Sequence, residues 1–243
     1  MKQQLKFGDK HWSPNIRMLH DMKDVIFDKE WVESADNFEL YYMYRELYKQ
    51  DSDLETMRES HLRYDITIIP PNMLGREYIK TAGHYHPVVE GTELSYPEVY
   101  QVLEGEAVYL LQKKEGERVV HVIVIEAKEG EIAIIPPGYG HVTINRSDQP
   151  LKMANWVCDI FSSCYEPVKK YEGAAYYLLE DGFVRNENYT DVPYVRYVKP
   201  VDVPEFGLFN EEDMYALVDD IEKLRFLKQP QDFVQVFDRI FEK

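Results

Sequence analysis

Two histidines one residue apart, His84 and His86, stand in the string Gly83-His84-Tyr85-His86. In a β-strand successive side chains alternate, so both imidazoles would face the same way and could reach one metal ion. Glu98 follows, then Gly105, and further on a segment running from Gly130 through Pro136-Pro137-Gly138 to His141 and Asn145. The Pro-Pro-Gly turn would reverse the chain, and His141 at the start of the next strand could point to the same place as the histidine pair. Three neutral imidazoles and a carboxylate suit a divalent transition metal and leave positions open, and a metal held that way can polarise a substrate oxygen.

Such a set needs a frame of strands, and the sequence supplies one. From Phe38 to Leu179 short β-branched and aromatic runs recur between Gly, Pro and Asp turns: ELYYMYREL, RYDITIIP, EVYQVLEG, AVYLLQK, VVHVIVIEA, EIAIIPPG, HVTINR and LKMANWVC. Runs of this kind with almost no helical period between them predict an all-β sandwich or barrel. In VVHVIVIEA, Val120, Val122 and Val124 fall on one face and His121, Ile123 and Ile125 on the other, the pattern of a strand covered on both sides. His121 is therefore read as a packed or surface residue and not as a ligand. The second segment matches the spacing of the cupins: glycine, five residues, Pro-x-Gly, two residues, His, three residues, Asn. That resemblance implies a double-stranded β-helix, or jelly-roll barrel. Between His86 and Glu98 lie eleven residues, where cupins usually have three or four before the acid. Glu90 mimics the usual spacing but lacks the following glycine, whereas Glu98 has Gly105 seven residues later and sits in the apolar run EVYQVL. Glu98 is thus read as the ligand, and residues 87–97 as a loop inserted at the barrel mouth.

The residues Arg17-Met-Leu-His-Asp-Met22, Thr67, Thr81-Ala-Gly-His-Tyr-His86, Glu98-Val-Tyr100 and Pro136-Pro-Gly-Tyr-Gly-His141 together resemble one branch of the cupins, the metal-dependent glucose-6-phosphate isomerases. The resemblance implies that His84, His86, Glu98 and His141 hold one divalent transition metal per chain, whether Fe, Zn, Mn or Ni. It places Thr67, Thr81, the backbone of Gly83, Tyr41 and Tyr165 around the phosphate of a sugar phosphate. It also implies interconversion of glucose 6-phosphate and fructose 6-phosphate, by proton transfer through an enediolate or by hydride shift. Glu98 is the base by position, and Tyr100, two residues along the same strand face, could orient substrate or relay a proton. The rival expectations are an Fe(II)-dependent cupin dioxygenase and a non-catalytic sugar-binding cupin.

Composition bounds the rest. The chain has 243 residues with 44% apolar content, enough for a packed core, and its 44 acidic against 28 basic side chains leave a net charge of −16. A charge of that sign disfavours nucleic-acid backbones. No apolar stretch approaches the ~18 residues of a membrane helix, and the opening residues carry no apolar secretory segment, so the chain is read as cytoplasmic. Cys158 and Cys164 form no CxxC pair and are read as ordinary thiols. Three parts are expected: an arm over residues 1–37 with a helix from Lys29 to Ser34, the barrel over 38–190, and a helical extension over 191–243. In the extension Asn210 is expected to cap a helix bearing Met214, Leu217, Val218, Ile221 and Leu224 on one stripe. A second short helix is expected after Pro230. The stripe must be covered by the barrel or by a second copy, and the resemblance implies a homodimer.

Overall fold

The computed structural model describes residues 4–241. Along the chain come β1 (Leu5–Phe7), β2 (Lys10–Trp12) and β3 (Asn15–Met18), a 3-10 segment Leu19–Val25, α1 (Lys29–Ser34), β4 (Glu39–Tyr44), α2 (Asp51–Ser60) and β5 (Leu62–Ile69). Two short strands follow, β6 (Met73–Leu74) and β7 (Glu77–Tyr78). The main strands are then β8 (Glu98–Glu104), β9 (Glu106–Glu115), β10 (Arg118–Lys128), β11 (Ile132–Ile135), β12 (Tyr139–Ile144) and β13 (Leu151–Cys158). Beyond them lie α3 (Glu166–Lys169), β14 (Tyr176–Leu179), β15 (Gly182–Arg185), β16 (Arg196–Val198), a 3-10 tail Met214–Leu227 and α4 (Val234–Ile240).

The strands make a six-stranded sheet in the order β11-β8-β13-β5-β4-β3 and a four-stranded sheet in the order β12-β9-β10-β16. From β8 to β13 the chain passes between these sheets repeatedly, which is jelly-roll winding, so the all-β barrel expected from the sequence is present. Gly105 alone joins β8 to β9 across the two sheets; its φ is +84° and a Cβ there would lie 2.6 Å from Pro150 O. Only glycine fits such a crossing. A principal core lies between the sheets, and a smaller one lies where Val122, Val124 and Val142 meet Ala175 and Leu178. Strand β10 is accordingly buried on both faces, Ile123 and Ile125 entering the first core and Val122 and Val124 the second. His121 is exposed, its Nδ1 2.9 Å from Tyr139 Oη.

Three features differ from expectation. Helix α2 interrupts a region read as strands only; its inward residues are Met57 and Asp53, and the Asp53 carboxylate accepts hydrogen bonds from Gln50 N and Tyr215 Oη. Strand β3 of the arm is an edge of the large sheet, pairing Ile16 with Tyr42. In the tail the cap is Asp213, whose Oδ1 accepts from Tyr215 N at 2.9 Å, because Asn210 is occupied instead by Ile132 N and Asp202. The tail winds as a 3-10 helix broken at Asp220, where φ is −131° and ψ is 55°, and not as one α-helix. Its stripe is covered by the chain itself: Met214, Val218 and Leu224 belong to the principal core, and Trp156 Nε1 donates to Met214 O at 3.0 Å. Helix α1 has the expected bounds, and α4 follows Pro230 with Phe237 and Ile240 buried. Among the described residues no helix is long and apolar enough to cross a membrane, and both cysteines are free thiols.

Candidate metal centre and active site

The histidine pair does not lie on a long strand. Segment 80–85 is fastened by single bridges, Lys80 with Ile144, His84 with His141 and Tyr85 with Cys164. His84 and His141 exchange backbone hydrogen bonds, N to O at 3.2 and 3.0 Å, which brings the HxH string against β12 beside the third histidine. Gly83 permits this approach, since its φ is +74° and a Cβ would lie 2.7 Å from Val142 Cγ2. Glu98 enters from β8 on the opposite sheet.

Ligand atoms of His84, His86, Glu98 and His141 all lie within 4.8 Å of one another. His86 Nδ1 faces Tyr96 O at 2.9 Å, so it carries the ring proton and donates it, leaving Nε2 with a lone pair aimed inward. That Nε2 stands 3.1 Å from His84 Nε2 and 3.4 Å from Glu98 Oε2, and His141 Nε2 is 3.2 Å from the same oxygen. Glu98 Oε2 is buried and has no hydrogen-bond partner. Converging lone pairs around an unsatisfied carboxylate oxygen repel one another unless a cation sits among them, so the donor set fits a metal ion.

The electrostatics agree. Burial holds His86 down to about 4 although Glu98 pulls it upward, and burial together with His141 and His86 holds His84 well below the ordinary imidazole value. Burial would raise Glu98, but His141 and His86 beside it outweigh burial and keep the carboxyl below its usual range. His84 and His86 are thus neutral and Glu98 ionised at neutral pH. Asn155 Nδ2 donates to Glu98 Oε1 at 2.8 Å and fixes the other carboxylate oxygen. Tyr100 Oη lies 3.1 Å from His141 Nε2, and burial beside Glu98 keeps its phenol protonated far above the usual value.

A polar cavity of about 270 Å³ opens beside the cluster, lined by His84, His86, Glu98 and Tyr100 and also by Thr67, Thr81, Tyr41 and Tyr165. Every candidate site residue is therefore in or beside one cavity, with two qualifications. His141 is a ligand-cluster member behind the wall, and Gly83 is absent from the lining, its place being taken by Ala82 and His84. Tyr41 Oη accepts a hydrogen bond from Ala82 N at 3.3 Å, and Thr81 Oγ1 accepts one from Thr143 N at 3.0 Å. Glu90 is exposed, in a turn where Val89 N donates to Leu94 O. The same loop closes over the centre through Tyr96, which stacks on Phe161 at 4.7 Å and lends its carbonyl to His86.

Sequence reasoning missed Arg45, Arg63, Asp65 and Asn155, all in the cavity wall. For two of them the signal was present: the alternation that turns Thr67 inward on β5 turns Arg63 and Asp65 inward as well.

A sequence profile of the family described as Glucose-6-phosphate isomerase (GPI) matches residues 16–194. The chain belongs to this glucose-6-phosphate isomerase family. Glucose-6-phosphate isomerase of Thermococcus litoralis is 34% identical over 142 residues, and that of Pyrococcus abyssi is 32% identical over 141. In both cases the match takes in 56% of this chain and 65% of the relative, just under two thirds of its length. A protein named putative glucose-6-phosphate isomerase 1 from Rhizobium meliloti is 27% identical over 51% of this chain and 54% of its own. Among solved structures, oxalate decarboxylase from Bacillus subtilis at pH 4.6 is 17% identical over 51% of this chain and 27% of its own, with a TM-score of 0.35. That likeness is too slight to bear on the site. The family match spans the HxH string, Glu98 and His141 together, so the whole ligand cluster lies within the glucose-6-phosphate isomerase region.

Proposed function

We propose that this protein is a metal-dependent aldose–ketose isomerase that interconverts glucose 6-phosphate and fructose 6-phosphate. The observation that carries the reading is the four-residue candidate ligand cluster beside a polar cavity, in a chain of the glucose-6-phosphate isomerase family. His84, His86, Glu98 and His141 would hold one divalent transition ion, and an ion so bound supplies Lewis acidity toward the sugar oxygens O1 and O2.

The chain's own groups do the rest. Thr67, Thr81, Tyr41 and Tyr165 offer hydroxyls to the phosphate, and Thr81 has its proton free to donate because its oxygen already accepts from Thr143 N. Isomerisation moves one hydrogen between C1 and C2 and one proton between O2 and O1. In the proton-transfer route Glu98, turned away from the ligand cluster as substrate enters, accepts the carbon-bound proton and returns it to the neighbouring carbon. Asn155 holds Oε1 meanwhile, so the carboxylate pivots about a fixed oxygen. Tyr100, held as a neutral phenol, donates toward the sugar oxygens from the same strand face. Phe161 and Tyr96 cover the His86 side and exclude water from the reacting carbons. The reading includes a homodimer, supported by the outer edge of β3 and its exposed Ile16, and a cytoplasmic setting, supported by the two unpaired thiols.

The test is metal analysis followed by a coupled assay with fructose 6-phosphate and a glucose-6-phosphate-specific dehydrogenase. Chelation should abolish turnover and re-addition of the ion should restore it. A fully metal-loaded chain without turnover, or one that consumes dioxygen on an organic substrate, overturns the reading.

A further inference from the structure

The cavity wall carries charge that the isomerase reading leaves unused. Asp65 is buried, and its Oδ2 accepts from Arg63 Nε at 3.0 Å and from Arg45 Nη1 at 3.2 Å, while Oδ1 accepts from Glu46 N at 2.9 Å. Two guanidiniums share this one buried carboxylate, and the charges of Glu98 and Glu46 also act on Arg63. Donors are also left over: each guanidinium has five N–H groups, and Arg45 Nη2 meets only Met43 Sδ, at 3.3 Å. The pair is half-buried and its forks are fixed by a buried anchor, the arrangement that suits bidentate binding of carboxylate or phosphate.

Its place in the register decides what it can touch. Asp65 lies opposite Asn155, which is bonded to Glu98, so the pair flanks the ligand cluster. Arg63 reaches along β5 to Asp65, two residues from Thr67, whereas Thr81 is fastened to Thr143 of β12 on the opposing sheet.

Building on the isomerase reading, we propose that Arg45 and Arg63, clamped on Asp65, form a second oxyanion subsite of this cavity, one that takes acyclic sugar phosphates bearing a further phosphate or carboxylate at the reacting end. The shared chemistry is a planar or tetrahedral oxyanion beside the metal ligands, separate from the phosphate held among Thr67 and Thr81.

The test is calorimetric titration of the metal-loaded full chain with three probes: glucitol 6-phosphate, 6-phosphogluconate and glucitol 1,6-bisphosphate. At least one two-anion probe should bind tenfold or more tightly than glucitol 6-phosphate, and which of them does so tells carboxylate from phosphate. The neutral variant Arg45→Gln/Asp65→Asn/Arg63→Gln strands no buried charge and should bring that advantage within threefold while leaving glucitol 6-phosphate within threefold of the parent. A second variant, Arg45→Lys/Arg63→Lys, keeps the charge, loses the fork, and should lose at least threefold of the advantage. An advantage undiminished in both variants, or no advantage in the parent chain, overturns the subsite and leaves the isomerase reading standing. Failure of all three probes to bind overturns both.

Discussion

Replacing Glu98 by Gln changes one oxygen to an amide nitrogen in a site where every neighbour resists the change. Glu98 is 4% exposed, its Oε1 already accepts from Asn155, and its Oε2 stands 3.2 and 3.4 Å from two imidazole nitrogens. The amide removes the negative charge and must turn an N–H₂ either toward the Asn155 donor or into the ligand lone pairs. Loss of an outer partner of a ligand typically costs about 10–100-fold in metal affinity. Loss of the charged ligand itself should therefore exceed ~100-fold, or about 2.8 kcal/mol at 1.4 kcal/mol per decade. Asn155→Leu removes only the orienting hydrogen bond and should fall within the about 10–100-fold range. Glu90→Gln, at an exposed turn, should change affinity less than about threefold, as surface substitutions do. The assay is chelator competition read by elemental analysis, run on all three variants beside the parent chain. If Glu90→Gln proves the most damaging, or Glu98→Gln keeps its metal, the reasoning fails and the ligand set must be redrawn around the loop 87–97.

In the metal-free chain His86 is protonated near 6.5 when unfolded and only near about 4 when folded, so between those values the unfolded state binds more protons and stability falls as pH drops. The 2.5-unit interval corresponds to about 3 kcal/mol, read as the difference in pH dependence of urea unfolding between the parent chain and His86→Asn; equal slopes from pH 7 to 4 would refute it. Thr81→Val keeps the shape but removes the hydroxyl, and should raise KM for fructose 6-phosphate several-fold more than it lowers kcat or metal content. Because Thr143 N then loses its acceptor, a stability loss of about 1–3 kcal/mol should accompany it; an unchanged KM moves the phosphate elsewhere. Phe226→Ala opens a hole against Phe206, whose ring centroid is 3.9 Å away, and should cost about 3–5 kcal/mol in denaturant unfolding without changing metal content per folded chain. A loss below 1 kcal/mol would mean that the tail is not part of the principal core.

The candidate cluster was legible because each part of it is local. The histidine pair needs only the two-residue period of extended chain, and His141 needs only a turn whose Pro and Gly residues are themselves in the sequence. Glu98 was separable from Glu90 because a crossing glycine, Gly105, comes at the end of its strand. Arg63 and Asp65 share the inward alternation of Thr67, but their clamp with Arg45 was hidden because Arg45 and Asp65 are twenty residues apart, on either side of α2. Helix α2 was missed for a related reason. Its inward face includes Asp53, whose partner Tyr215 lies 162 residues on, so no periodic apolar stripe marked it. Asn210 was a sound cap by residue type, but Ile132 N claims its side chain from another strand, and only tertiary structure reveals that competition.

The four residues of the candidate cluster are divided between opposing layers: Glu98 comes from the six-stranded sheet, His141 from the four-stranded one, and His84 and His86 from a segment tethered by single bridges. An ion bound there would be a clasp, adding coordination to the apolar core and the Tyr100–His141 contact that already join the two layers. The unfolded chain retains only the HxH pair as a close-set chelate, so the native state binds the ion far more tightly. At a free-metal concentration a hundred times Kd this linkage adds about 2.7 kcal/mol to the apparent stability. With the ion bound as proposed, metal supply would set how long the folded chain survives heat as well as how much of it is active, and starvation for the ion would reduce the amount of this protein along with its activity.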